Sequence, residues 1–102
     1  KCYTGKTERV ELYFPAWVLD RNEEVMWKAK GALKQVLKRT PKLTKWQFST
    51  DGNYTAGLKR IPTIGFGPGD ERFAHTPNDH VLVKDLMVAT RGYCALSMSL
   101  CA

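Results

Sequence analysis

Histidine is scarce in this chain of 102 residues: His75 and His80 are the whole supply. Their five-residue spacing misses the one-turn pairing of a helical zinc site, and no His-x-Asp or His-Glu-x-x-His run accompanies either of them. Cysteine is almost as rare. Cys2, Cys94 and Cys101 are odd in number and contain no Cys-x-x-Cys pair, which excludes a zinc ribbon, a thioredoxin-like redox pair and a disulfide framework. They read as reduced core residues. Nothing approaches the ~20 consecutive apolar residues of a membrane helix, and no signal-peptide core opens the chain, so a soluble cytoplasmic protein without a membrane partner is expected. A nucleophile elbow of the Gly-x-Ser-x-Gly kind is also missing. Gly65-Phe66-Gly67-Pro68-Gly69 lacks the Gly-Lys-Ser/Thr ending of a phosphate loop. The first methionine is Met26, so a processed chain or a C-terminal fragment is expected.

Acids are missing from Val25 to Thr50, where Lys28, Lys30, Lys34, Lys38, Arg39, Lys42 and Lys45 fall; this stretch accounts for the net charge of +6. A basic stripe of this kind can meet phosphate backbones or acidic partners, which makes a small basic binding module the alternative function. The lysines nevertheless share their segment with apolar residues at helical spacing, and a solvated helix face accounts for them without nucleic acid.

With 43% hydrophobic and 25% charged residues, the rest is ordinary for one globular domain. Thr7 to Phe14 alternates loosely and predicts a strand ending at Pro15. Asn22 caps a predicted helix with Glu23 and Glu24 in its first turn; Met26, Ala29, Leu33, Val36 and Leu37 share its apolar face and Pro41 closes it. Trp46 to Ser49 predicts a second strand, Asp51-Gly52-Asn53 a turn, and Tyr54 to Arg60 about two helical turns. Pro62 to Phe66 predicts a buried strand, stopped by Gly67-Pro68-Gly69 and leading to His75. Leu86, Ala89, Tyr93, Leu96 and Leu100 mark a final amphipathic helix. Strand, short helix, strand implies a parallel pair whose ends, at Thr50-Asp51-Gly52 and Gly67-Pro68-Gly69, open on one sheet edge. Such a pair needs neighbours that this chain does not hold. On spacing alone His75 is a rigidly delivered loop residue whose role stays open between metal ligand and hydrogen-bonded surface group.

Three segments carry a resemblance: Trp46-Gln-Phe-Ser-Thr-Asp-Gly52, Ile61-Pro-Thr-Ile-Gly-Phe-Gly-Pro-Gly69 and Ala74-His-Thr-Pro-Asn-Asp-His-Val81. Together they resemble the C-terminal end of the dinuclear metallohydrolases that include acetylornithine deacetylase, succinyl-diaminopimelate desuccinylase, aminoacylase and glutamate carboxypeptidase. Tyr13-Phe-Pro-Ala-Trp17 and Phe48-Ser-Thr-Asp-Gly52 are most similar to the branch of peptidases and deacylases linked to selenium and purine catabolism. The likeness covers nearly the whole chain, most strongly from Trp46 to Val83.

The resemblance implies an α/β fold: residues 1–20 the last strand of a ferredoxin-like lid and dimerisation domain plus its hinge, residues 21–102 the C-terminal part of a zinc-peptidase-like catalytic domain with parallel strands and flanking helices. It implies His75 as a metal ligand, with two zinc ions per full-length subunit and cobalt or manganese as substitutes. Ser49, Thr50, Gly52, Gly67 and Gly69 are implied to line the substrate cleft. The implied chemistry is hydrolysis of amide bonds in N-acyl amino acids or small peptides, with the catalytic base and the other ligands upstream, so that this chain by itself is inactive. The implied partners are the substrate, the remainder of the parent chain and a second subunit. Two departures stand out: Asp79 occupies a position where Glu is usual and is expected to order the loop behind His75, and Arg60 replaces a common glycine at a surface turn. Glu23-Glu24 imitates the family's acidic pair in letters only, since it opens a cationic helix.

Overall fold

The computed structural model describes residues 3–101. Two long helices dominate it: α1, Glu24–Leu37, and α2, Val83–Leu100. They pack on each other through the small and branched residues of one stripe each, burying Ala29 and Leu33 from α1 and Ala89, Gly92 and Leu96 from α2. Leu37, Ile64, Phe66 and Leu100 close round this centre. Gly92 lets the helices and the Phe66 ring approach, because a Cβ there would lie 2.6 Å from two ring carbons and 3.2 Å from Leu33 Cδ2.

The start of α1 differs from expectation. Its N-cap is Glu23, whose side chain makes no cap bond, and the approach is organised by Asp20 instead. Asp20 Oδ1 accepts from the Asn22 N–H at 2.8 Å and its carbonyl from the Glu23 N–H at 3.2 Å, a local turn that spends Asn22 one residue too early. Glu24 then pairs with Lys28 one turn on, at 2.5 Å. At the other end Lys38 takes the left-handed conformation, φ 52°, that stops many helices, and Pro41 follows.

The α/β expectation does not hold. Among the described residues there is no strand, no parallel pair and no final strand of a lid; the regular structure is helical throughout. A strand exists only where a neighbouring backbone completes its ladder, and among the described residues none of the candidates has such a neighbour. Thr7 to Phe14 lies exposed without a partner. In the Ile61–Phe66 run, the Ile61 carbonyl accepts from the Thr63 hydroxyl at 2.8 Å and the Phe66 carbonyl from the Tyr93 hydroxyl at 2.9 Å, while Pro62 has no N–H to give. The Trp46 ring does lie against Gly65, where a Cβ would meet it at 2.4 Å, so the two apolar runs are neighbours through side chains rather than through a ladder.

One short helical piece lies between these runs and another follows them. Asn53–Leu58 forms a π-helical turn closed by Lys59 N–H to Tyr54 O at 2.9 Å, and Glu71–Phe73 forms a 3₁₀ turn. The cysteines also correct the sequence reading. Cys94 and Cys101 are exposed, because they sit about half a turn round α2 from the buried Gly92; Cys2 lies outside the described residues. The chain as a whole exposes 8944 Å², whereas a compact monomer of this size exposes about 5,800 Å². The excess is apolar in part, with Leu12, Phe14, Val18 and Met98 all more than half exposed. Among the described residues, no helix is long and apolar enough to cross a membrane.

Candidate functional site

Two of the five residues read as cleft-lining, Ser49 and Thr50, meet in one groove of 560 Å³ between α1, the 14–19 segment and the 41–50 segment. Their hydroxyls are set by the turn that follows. The Gly52 N–H donates to Thr50 Oγ1 at 3.2 Å, and the Asn53 side-chain amide donates to Ser49 Oγ. A hydroxyl carries one proton and two lone pairs. Each accepts one bond from inside the turn, and neither of these bonds uses its proton. Lys30, Lys42 and Lys45 line the same groove beside Trp17, Trp46 and Phe48. Cations and hydroxyl donors set in an aromatic wall suit a ligand with a carboxylate at one end and an apolar body.

Gly52 is placed differently. It is buried under the Trp17 ring, where a Cβ would fall 2.5 Å from Cζ2, so it supports the turn and offers a ligand no surface. Gly67 and Gly69 border a second cleft, of 480 Å³, together with Asp70, Ala74 and His80. Trp46 and Phe48, stacked at 5.4 Å, form a wall common to both clefts. The two turn segments thus flank one aromatic stack instead of opening on a sheet edge.

His75 stands at the far side of that stack. Its ring meets Phe48 edge-on at 5.4 Å, which brings it close to the segment bearing Ser49. Its backbone sits at φ 60°, a left-handed conformation uncommon for a residue with a Cβ. A strained, held backbone of this kind is concentrated at sites of function. Asp79 does the holding: its Oδ2 accepts from the His75 N–H in a long contact of 3.4 Å, and its own N–H bonds the Thr76 carbonyl at 3.0 Å. His80 is engaged elsewhere, with Nδ1 2.6 Å from the Asn78 carbonyl and its ring tilted on Phe73 at 4.5 Å.

Just before this loop, Asp70 caps the 3₁₀ turn and accepts from the Arg72 side chain and backbone N–H. Those bonds, the side-chain ones foremost, hold the Asp70 carboxyl down to about 2 and raise Arg72 above its usual value. Arg60 adopts φ 55° on the surface, which is the backbone a glycine takes without strain. The sequence reading missed Asn53, whose amide orients Ser49; the signal lay in Asp51-Gly52-Asn53, read there only as a turn. It missed Trp17 as well.

As for metal, His75 fits the part of one imidazole ligand, yet the described residues contain no group of three His, Cys, Asp or Glu that could hold an ion. Of the basic stripe, Lys28 is paired with Glu24, and Lys30, Lys42 and Lys45 line the groove.

No solved structure matches the chain. The uncharacterized protein YgeY of Escherichia coli K12 is 34% identical over 97 residues, a stretch that covers 95% of this chain and 24% of that protein, and its counterpart in Escherichia coli O157:H7 matches to the same extent. The chain therefore spans about a quarter of the length of these curated relatives. Residues 6–99 match peptidase family M20/M25/M40, whose members are hydrolases and generally metal-dependent. That match takes in the hydroxyl turn, the aromatic stack and the His75 loop together, and the chain belongs to peptidase family M20/M25/M40.

Proposed function

We propose that the chain forms the C-terminal part of a two-metal hydrolase that cleaves amide bonds of N-acyl amino acids or small peptides, with His75 as one metal ligand and the Ser49 and Thr50 hydroxyls binding the substrate carboxylate. The observation that carries the reading is the pair of hydroxyls held as acceptors from within their turn, beside Lys30, in a groove walled by aromatic rings. An acceptor-only carboxylate is their complement. The apolar wall takes the rest of the substrate, and Asp79 keeps the His75 backbone in the one conformation that presents its ring next to Phe48.

Zinc at such a centre supplies Lewis acidity and an activated water at neutral pH. Zinc centres take three or four protein ligands, and the other ligands and the proton-transferring base are assigned to parts of the protein outside this chain. Gly67 and Gly69 wall the neighbouring cleft. Dimerisation through a lid domain and a cytoplasmic location complete the proposal.

The test has two arms. Calorimetric titration of this chain with zinc should show weak binding only; tight uptake of two ions would sink the assignment of the other ligands elsewhere. In the complete zinc-loaded protein, a panel of N-acyl amino acids should be hydrolysed and their carboxamide counterparts should not. Equal turnover of both sets would remove the role given to Ser49 and Thr50.

A further inference from the structure

We propose that Trp17 is a positioning residue: it clamps the segment preceding α1 onto the hydroxyl turn, so that the placement of residues 6–14 is felt at Ser49 and Thr50. This rests on the function proposed above for those hydroxyls. Its physical basis is a two-point attachment. A Cβ on Gly52 would lie 2.5, 2.8 and 2.9 Å from three atoms of the Trp17 indole, and one on Gly57 would lie 2.8 Å from Pro15 Cγ and 3.2 Å from the Pro15 carbonyl oxygen. Only hydrogen fits at such distances, so Pro15 and Trp17 sit directly on the backbone of the π-helical turn and its approach.

Gly52 is also the residue whose N–H sets the Thr50 hydroxyl, and Asn53 beside it sets Ser49. A shift of the ring therefore tilts the Gly52 peptide and turns both hydroxyl donors together. The preceding residues 6–14 are exposed and carry no helix, so Pro15 to Trp17 is where that segment joins the packed part of the chain.

The experiment compares Trp17→Ala, Trp17→Phe, Gly52→Ala and the Trp17→Ala/Gly52→Ala double variant in the complete protein, by amide hydrogen exchange and by kcat and KM on an N-acetyl amino acid. Trp17→Ala should speed exchange at Gly52 and Asn53 at least tenfold and leave Ala29 to Leu33 unchanged. It should raise KM fivefold or more with kcat within twofold, while Trp17→Phe stays near wild type. Gly52→Ala should reproduce the Trp17→Ala effects, and the double variant should be no worse than Trp17→Ala, since removing the ring makes room for the methyl. Unchanged exchange at Gly52, a rise spread evenly over α1 and the turn, or effects that multiply in the double variant would each overturn the clamp. Absence of hydrolysis in the wild type would refute the proposed activity, and the exchange pattern would still decide the clamp.

Discussion

Gly31 and Gly92 offer one substitution with opposite outcomes. Both lie inside helices, where Gly→Ala gains about 1 kcal/mol from backbone entropy alone. At Gly31, on the exposed side of α1, nothing lies within 4 Å of the new methyl, so that gain should appear undiminished. At Gly92 the methyl would lie 2.6 Å from Cε1 and Cζ of Phe66 and 3.2 Å from Leu33 Cδ2. The Phe66 ring has little freedom to retreat: it meets Tyr93 edge-on at 5.4 Å, and the Tyr93 hydroxyl holds the Phe66 carbonyl at 2.9 Å. Overpacking of this kind costs about 1–3 kcal/mol, which outweighs the propensity gain and leaves a net loss of about 1 kcal/mol. Thermal unfolding followed by circular dichroism should show Gly31→Ala raised and Gly92→Ala lowered, each by about 4–8 °C for a domain near this size. Gly92→Ala combined with Phe66→Ala should lose the clash and fall no further than Phe66→Ala. A Gly92→Ala protein as stable as Gly31→Ala would refute the packing of α2 on Phe66 and Leu33.

Other outcomes follow from the turns. Thr50→Val removes the acceptor of the buried Gly52 N–H and should cost about 1–3 kcal/mol in urea unfolding, while Thr50→Ser should restore most of it. Arg60→Gly should raise the melting temperature slightly, since a left-handed backbone costs a residue with a Cβ about 1–2 kcal/mol and glycine's added unfolded-state entropy offsets part of that. The Asp70–Arg72 contact should be pH-dependent in one direction only: with the carboxyl held at about 2 against an ordinary 3.8, it is fully present above pH 3.8 and lost as pH falls through 2. Nuclear magnetic resonance of the Arg72 Nε–H against pH should show that transition, and Asp70→Asn should abolish it; a midpoint near 3.8 would contradict the contact.

Much of this molecule was legible as a string. Helix α1 follows from Met26, Ala29, Leu33 and Leu37 at helical spacing, with Glu24 at its start and Pro41 beyond its end; α2 follows from Ala89, Leu96 and Leu100 in the same way. Those are local periodicities, and a helix satisfies its hydrogen bonds within itself. The family itself was also readable, because it depends on particular residues at particular spacings.

Strands were not readable in this sense. An apolar run such as Pro62 to Phe66 states a preference, but a ladder needs a second backbone, and among the described residues none pairs with it; the Ile61 and Phe66 carbonyls accept from the Thr63 and Tyr93 hydroxyls. Only the tertiary structure decided that Gly52 lies under Trp17, that Cys94 and Cys101 turn outward, and that Ser49 and Thr50 line the same groove. Each of these depends on what a distant segment places against the residue, a relation that no local pattern of residue types encodes.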